Sequence, residues 1–456
     1  MGASRSSLLC IALACGLNAA CATGAASHKS YILPAVEIVA MDSAVNLGGR
    51  HLIGPAGYDI TPASIRRNLR GPWVVDDDPF EINQFLHPYQ GAMYHGIARS
   101  NGLGYWPSVA YTFAGSALWE IAGETTPPSR NDQIASGIAG SFLGEPLFRI
   151  SRLLLDRADN RPGVWRTLAS VLASPPTGIN HVLVGDPAVP LAPDAVPFSD
   201  IRVQFGARST TTGRSRLVSS KSLQPHLALS MDYGYPGNLN YRHERPFDYF
   251  RIESSVSSEG MEQLSTRGLI AGGDYGAGSL GGIWGVYGSY DYFAPADLHF
   301  SSTAVSFGTT FQASLSESLK VQSSGLLGAG YAAAQSTLAE TTRIASADER
   351  DYHYGVAPQA LANVRFIAGR RAALDTTARQ YFISGVGGFG TGERDLILLG
   401  DTTLAVRIYG RHALGLTYQL ARRTSDLAEL PNHTKTRSTA GIFYTFLGSG
   451  GFGAVQ

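Results

Sequence analysis

The pattern of apolar and polar positions is clearest in the last third of the chain. Leu396, Leu398, Thr402, Leu404, Val406 and Ile408 alternate with Asp401, Thr403, Ala405, Arg407 and Tyr409. After Gly410-Arg411 the alternation restarts as Leu414, Leu416, Tyr418 and Leu420, and it returns as Ala440, Ile442, Tyr444 and Phe446. Side chains of a strand point to opposite faces with period two, so each run is a strand with one oily and one mostly polar face. Leu227, Leu229, Met231 and Tyr233 repeat the pattern, as do Val305, Phe307, Phe311 and Leu315. The alternation predicts about twelve strands. They fall near 201–208, 223–233, 247–256, 264–275, 281–292, 302–315, 319–333, 353–367, 371–384, 395–409, 411–423 and 438–447.

The connections between these strands suit a closed antiparallel barrel. Those around Glu317, Gly369-Arg370 and Gly410-Arg411 are short, whereas Ser209 to Ser222, Ala334 to Tyr352 and Thr424 to Arg437 are long and polar. Short and long alternate as periplasmic turns and outer loops do in transmembrane barrels. Gly234 to Pro246 is the exception, being long on the short side. Strands of ~10–14 residues are long enough to span a bilayer. Tyr290, Tyr292 and Phe293, Tyr352 and Tyr354, and Tyr444 and Phe446 gather near strand ends as interfacial girdles do. The competing architecture is a soluble sandwich or lipocalin-like barrel, in which the oily face fills the core. The expected fold class is α+β, mainly β: a transmembrane barrel over 200–447, preceded by a small α-helical domain. A Gly-rich tail, 448–456, follows Phe446, whereas outer-membrane barrels commonly end on an aromatic residue.

Ahead of the barrel the period changes. Residues 73–186 read as helical: Tyr89 to Arg99 opened by Pro88, Ser108 to Gly123 after Pro107, Ser129 to Gly144, Leu147 to Asp156 after Pro146, and Val164 to Ala173. Ser129 with Asp132 three residues on has the form of a capping box. Residues 23–72 carry little periodicity beyond Val36 to Ala40 and read as a tether. Pro175-Pro176 and the Pro-rich stretch to Pro197 read as a linker, 187–199 in its central part.

Composition narrows the class. Lys+Arg and Asp+Glu are both 36, so no basic excess calls for nucleic acid. Charged residues are only 16 % and glycines number 53, which suits a barrel facing lipid. Cys10, Cys15 and Cys21 all lie in a segment that reads as a signal peptide, 1–22, with Arg5, an apolar run and Ala20-Cys21-Ala22 for cleavage. A lipoprotein cysteine is the alternative, although neither Cys15 nor Cys21 has Leu three residues before it.

The densest polar group lies in the helical stretch. Asp78 and Phe80, Asn83-Gln84, His87-Pro88-Tyr89 with Gly91 and Tyr94, Ala98-Arg99, Trp119-Glu120, Ser129 with Asn131-Asp132, and Gly144-Glu145 stand there in order. In these motifs the sequence resembles a family of bacterial outer-membrane proteins of unknown function, defined by this helical stretch joined to a carboxy-terminal barrel. The resemblance covers roughly 73–155. It implies an outer-membrane location and carries no activity; the even strand count separately puts both barrel ends, and with them the helical domain, in the periplasm.

On a helix His87, Gly91, Tyr94, His95 and Ala98 share a face, and Glu120 and Glu124 share one on the next. Packed together, such helices place imidazoles beside carboxylates, the pairing used by general bases and metal ligands. The candidate catalytic set is His87, Tyr94, His95, Glu120 and Asp132. No HExxH, GxSxG or phosphate-binding glycine loop is present, so no metal or cofactor is expected. The bland reading is that Glu, His and Arg pair inside a bundle, that Ser129 and Asp132 cap a helix, and that Gly137, Gly140 and Gly144 permit close packing. A second polar set, Asp232, Gln312, Gln359, Arg365, Arg379, Asp401 and Arg407, is expected to face the lumen. Two functions follow as expectations. One is a structural or transport barrel, in contact with outer-membrane lipid, the barrel-assembly machinery and a periplasmic partner. The other is a lipid- or glycan-modifying hydrolase or transferase with its site in the helical domain.

Overall fold

The structure, a computed structural model, describes residues 29–156, 162–185, 197–214, 217–238, 240–295, 298–336, 351–388, 392–427 and 430–455. The expected signal peptide, most of the Pro-rich linker and most of the Ala334 to Tyr352 connection lie outside the described residues. The chain forms two compact units, Met1–Leu191 and Ala192–Gln456.

The first unit is helical. Its elements are α1 (Leu33–Leu52), α2 (Pro62–Arg70), a π-helical turn Ile82–Leu86 leading into α3 (His87–Ser100), α4 (Tyr105–Ala122), α5 (Arg130–Ile134), a second π turn Ala135–Ala139 leading into α6 (Gly140–Leu155), α7 (Val164–Ala173) and α8 (Pro175–Leu183). Two expectations fail here. The presumed tether holds α1 and α2, and α1 belongs to the bundle: Ile38 and Met41 pack on Met93, Tyr94 and Ile97. Its inward face also carries Glu37, Asp42 and Asn46, which break the apolar period that would have marked a helix. Pro175-Pro176 opens α8 as its first turn instead of a linker, because proline's missing N–H costs nothing there.

Of the two prolines expected to open helices, Pro88 stands in the first turn of α3 and Pro146 lies inside α6. Pro88 follows the Ile82–Leu86 π turn, where the His87 N–H bonds back to the Ile82 carbonyl. A π turn takes up the irregularity that a proline imposes on the helical ladder. The close packing expected of the glycines is present. A Cβ on Gly140 would meet the Gly91 Cα at 2.6 Å, and one on Gly144 would meet the His95 Cβ at 2.7 Å. Only a hydrogen at these positions lets α3 lie against α6.

The second unit is a closed barrel. Its long strands are β1 (Ser199–Arg214), β2 (Leu217–Tyr233), β3 (Phe250–Ser257), β4 (Gly260–Ala277), β5 (Leu280–Phe293), β6 (Phe300–Ser314), β7 (Leu319–Gln335), β8 (Tyr352–Ala368), β9 (Ala372–Ile383), β10 (Arg394–Tyr409), β11 (His412–Leu427) and β12 (Leu430–Leu447). Each pairs antiparallel with its neighbours in sequence, and β12 closes on β1 from Arg202 opposite Leu447 to Arg214 opposite Lys435. Closure leaves none of these long strands at a sheet edge.

Register decides which face is outside. Leu404 lies opposite Leu416, and both are exposed, with Leu416 at 57 %. Phe205, Trp284, Phe307, Leu327, Val356 and Ile442 are exposed around the same exterior. Asp232, Gln312, Arg365 and Arg379 are buried inside. The oily face therefore points outward and the polar face inward, the reverse of a soluble barrel, and only hydrocarbon makes that arrangement favourable.

The expected long loops Ser209 to Ser222 and Thr424 to Arg437 are mostly strand. β1 and β2, and β11 and β12, extend through them and pair, as Thr210 does with Ser222 and Thr424 with Thr434. Thr210 to Thr212 and Thr434 to Arg437 are unbroken polar runs in sequence, so no hydrophobic period marks them. Of the expected girdle residues, Tyr444 and Phe446 are exposed, whereas Phe293 packs inside, stacked on Phe300 at 4.9 Å.

Candidate functional site

The site in the helical unit is assembled by three chain segments. The Val74 backbone bridges to Ser129, with Val74 N–H donating to Pro128 and Arg130 N–H donating to Val74. This pins the extended stretch carrying Asp76 and Asp78 against the start of α5. Ser129 Oγ caps α5 by accepting from the Asp132 N–H at 3.2 Å. The reciprocal half of the expected capping box is not made by Asp132. Glu120, reaching across from α4, accepts from the Ser129 N–H at 2.7 Å through one carboxylate oxygen. Asp132 is thereby left free to face His87, whose Nε2 lies 3.4 Å from its carboxylate.

One donor atom from each of His87, Glu120 and Asp132 lies within 4.8 Å of the other two, and all three residues are buried. Asn131 links the outer acid to the inner one, donating to Asp76 at 2.8 Å and to Asp132 at 3.1 Å. Asn83 donates to Asp76 at 2.8 Å. Among the described residues no Lys or Arg forms an ion pair with Asp76, Glu120 or Asp132.

This leaves a strongly perturbed set. Burial, reinforced by the Glu124 charge, pushes Glu120 up to about 9. Burial, with Asp78 and Asp76 adding, pushes Glu124 up to about 8. Burial and the neighbouring Asp76 hold Asp132 well above the carboxylate range. Burial pushes His87 down to about 4 against the pull of Asp76. Burial would raise Asp76 too, but hydrogen bonds from Asp132, Asn131 and Asn83 outweigh it and leave Asp76 lowered. The arrangement offers one imidazole nitrogen and several carboxylate oxygens converging on a point, with no cationic side chain to neutralise them.

Two of the predicted residues do not join this cluster. Tyr94 Oη donates to Asp42 of α1 at 2.6 Å and accepts from Gln90. His95 Nε2 lies 3.0 Å from Glu145, which also binds Arg99 and Arg149 at 2.8 Å each. Burial would raise Glu145, but Arg99, Arg149 and His95 together hold it well below the usual range. This second group gives its carboxylate two guanidinium partners and fastens α3 to α6. Asp76 is the neighbour of this cluster of His87, Glu120 and Asp132 that sequence reasoning did not place. The Asp76-Asp77-Asp78 run stands out in the sequence, but only the Val74–Ser129 bridge brings it to α5.

The barrel lumen is the other polar site, and the expected inward set is found there. Arg365 pairs with Asp232 at 3.1 Å and donates through Nε to Asp375 at 2.6 Å, while Arg379 reaches Glu253 at 2.7 Å and Asp401 at 3.1 Å. Gln359 accepts from Ser302, and Arg407 donates to the Gly450 carbonyl. A cleft of about 600 Å³, counting its solvent-filled mouth, lies beside this network, lined by Arg208, Glu262, Arg379, Asp401, Arg437 and Phe293.

Residues 448–455 cross this lumen. Ser449 donates to Asp200 at 2.6 Å at the base of β1. Phe452 is buried against Ile367, Ala373, Ala405, Ala413 and Leu447. On the far wall Gln322 donates to the Gly453 carbonyl at 2.6 Å, Lys320 to the Val455 carbonyl at 2.6 Å, and Gln312 both donates to and accepts from Val455 at 2.9 Å. Val455 also packs with Tyr235, from the connection between β2 and β3, and with Tyr249, Ile283 and Tyr287. The long connection that broke the short–long alternation thus folds inward beside the tail. Nothing periodic marks the tail in the sequence. Its one signal is two apolar residues, Phe452 and Val455, set in a run of glycines.

A further buried trio, His353, Glu393 and Asp395, stands on the lumen side of the barrel. Arg423 binds Asp395 at 2.7 Å there, and Ser336 donates to Glu393 at 2.6 Å.

Comparison with solved structures returns outer-membrane barrels. The outer membrane channel DcaP of Acinetobacter baumannii shares 8 % identity, covering 54 % of this chain and 97 % of its own, with a TM-score of 0.25. The COG4313 outer membrane channel from Pseudomonas putida F1 shares 13 %, covering 57 % and 99 %, at a TM-score of 0.29. The Pseudomonas putida toluene transporter TodX shares 9 %, covering 56 % and 90 %, at 0.21. Among curated proteins none matches this chain. The motif resemblance is borne out: residues 72–176, which hold His87, Glu120 and Asp132, match a domain of unknown function, DUF3943.

Proposed function

We propose that this is an outer-membrane protein whose barrel is a conduit held shut by its own chain, with the helical unit on the periplasmic side. The observation that carries the reading is the seating of residues 448–455 across the lumen, from Asp200 on β1 to Gln312, Lys320 and Gln322 on β6 and β7. In a barrel of twelve long strands, β1 and β7 stand on opposite walls, so the segment spans the bore. The Arg365–Asp375 and Arg379–Glu253 pairs form a second constriction. An even strand number returns both ends of the barrel to one side, which is the periplasm for exported bacterial barrels. That supports a periplasmic position for the preceding helical unit.

The test is planar-bilayer conductance of the intact chain, of a chain ending at Leu447, and of that truncation carrying Arg365→Gln. The intact chain is expected to conduct rarely, and one or both truncated forms to conduct persistently. Silence in both truncated forms overturns the conduit reading. A second reading, an envelope lipid- or glycan-modifying enzyme, is favoured by one observation, the convergence of His87, Glu120 and Asp132. It predicts altered envelope lipid or glycan composition when Glu120→Gln replaces the wild type at equal barrel insertion. Unchanged composition removes it.

A further inference from the structure

The helical unit carries a buried cluster of carboxyl groups and an imidazole that, among the described residues, no Lys or Arg pairs with. His87, Glu120 and Asp132 come from three separate elements, α3, α4 and α5, yet present donor atoms within 4.8 Å of one another. Glu120 is wholly buried. One of its oxygens accepts from the Ser129 N–H, and the other, Oε1, has no hydrogen-bond partner. An unpartnered buried carboxylate oxygen is costly unless something else occupies its lone pairs. Asp76, Asp78 and Glu124 around the cluster add only further carboxyl groups.

Two other buried clusters show the contrast. Glu145 beside His95 is neutralised by Arg99 and Arg149. Glu393 and Asp395 beside His353 share the guanidinium of Arg423. Only the His87 cluster, of these three, lacks a guanidinium. Backbone irregularity points to the same place. The π turn Ile82–Leu86 ends at His87, and the π turn Ala135–Ala139 begins three residues after Asp132. Such insertions in helices gather at functional sites because they rotate the flanking side chains out of the regular phase.

We propose that His87, Glu120 and Asp132 ligate a divalent first-row metal ion, with zinc the best match. One imidazole nitrogen with carboxylate oxygens suits zinc or manganese rather than calcium or magnesium, which favour all-oxygen shells. Asp76, already accepting from Asn83 and Asn131, stands outside as the carboxylate that orients Asp132 through Asn131. Three protein ligands leave the fourth position of a tetrahedral ion open, the form taken by catalytic rather than structural zinc. The inference is independent of the conduit reading, because it concerns the helical unit alone.

The experiment uses the full chain purified in detergent, stripped with a chelator and titrated with ZnCl2. Calorimetry and elemental analysis after gel filtration read the stoichiometry. One zinc per chain is expected. Glu120→Gln and Asp132→Asn keep shape and remove charge, so they leave the fold intact. Each is expected to weaken zinc binding by about 100-fold or more, since even outer-shell losses cost 10–100-fold. His353→Asn is expected to leave the stoichiometry unchanged. Thermal melting provides a second reading, with zinc raising the helical unit's midpoint in wild type and not in Glu120→Gln. No bound zinc in wild type, or undiminished binding in both charge-removing variants, overturns the proposal.

Discussion

Phe452→Ala tests whether the segment after β12 is a stopper. The Phe452 ring is 2 % exposed and fills a pocket formed by Ile367, Ala373, Ala405, Ala413 and Leu447. Truncating a buried Phe to Ala costs about 3–5 kcal/mol in a packed core. The polar anchors remain: Gln322 to Gly453, Gln312 to Val455 and Lys320 to Val455. Each neutral bond contributes about 1 kcal/mol and the lysine bond about 1.5–3 kcal/mol. The segment therefore stays seated most of the time but detaches more often. A loss of about 3 kcal/mol raises the released fraction about 150-fold. Amide hydrogen exchange of Val455, whose N–H is held by Gln312, reads that fraction directly. The barrel strands do not depend on the ring, so exchange in β5 or β10 is expected to stay slow. Unchanged exchange at Val455 in the variant refutes the argument that Phe452 holds the stopper in place. Equal acceleration throughout the barrel refutes the claim that the stopper is separable from the wall.

Three other outcomes follow from the packing. Glu145→Gln leaves Arg99 and Arg149 buried without their counter-charge, and is expected to destabilise the helical unit by about 3 kcal/mol in chemical denaturation. Burial raises Asp42 to about 8 despite the Tyr94 hydrogen bond. The folded chain therefore binds more protons than the unfolded one between about 4 and 8, so this group's contribution is greatest below its unfolded pKa and is lost as pH rises to about 8, by up to about 1.4 kcal/mol per pH unit. Asp42→Asn keeps the acceptor for Tyr94 and is expected to flatten that slope when melting is followed against pH. Leu404→Arg places a charge on the hydrocarbon-facing wall and is expected to cost about 2–4 kcal/mol in refolding into lipid vesicles, whereas Thr403→Arg, on the lumen side of the same strand, is expected to cost less.

The barrel was legible because its signal is local and repeated. Leu404, Val406, Leu414 and Leu416 each report the same outward face, and a period of two needs no long-range contact to be read. Where the chain is polar without a break, as from Thr210 to Thr212, strand and loop look alike in sequence, and only pairing with β12 decides. The helical unit was legible where its faces are apolar and obscure where they are not, so α1, with Glu37, Asp42 and Asn46 turned inward, passed for a tether. The candidate site was half legible. His87 and Glu120 stand out by helical spacing and Asp132 by its position after Ser129. Tyr94 and His95 share the His87 face, yet seven or eight residues on a helix carry a side chain about 10–12 Å along the axis, far enough to meet Asp42 and Glu145 instead. Asp76 could not be placed, because its position depends on a bridge between Val74 and Ser129, 55 residues apart in the sequence.

The claim on which the rest depends is that the outer wall of the second unit meets hydrocarbon. Trp284 on β5 is half exposed on that wall, beside Phe307 at 6.1 Å. A chain keeping Trp284 as its one tryptophan, inserted into vesicles whose acyl chains carry bromine, tests this directly. Strong quenching with a blue-shifted emission is the result expected, and an unquenched, water-like emission from the folded protein contradicts it.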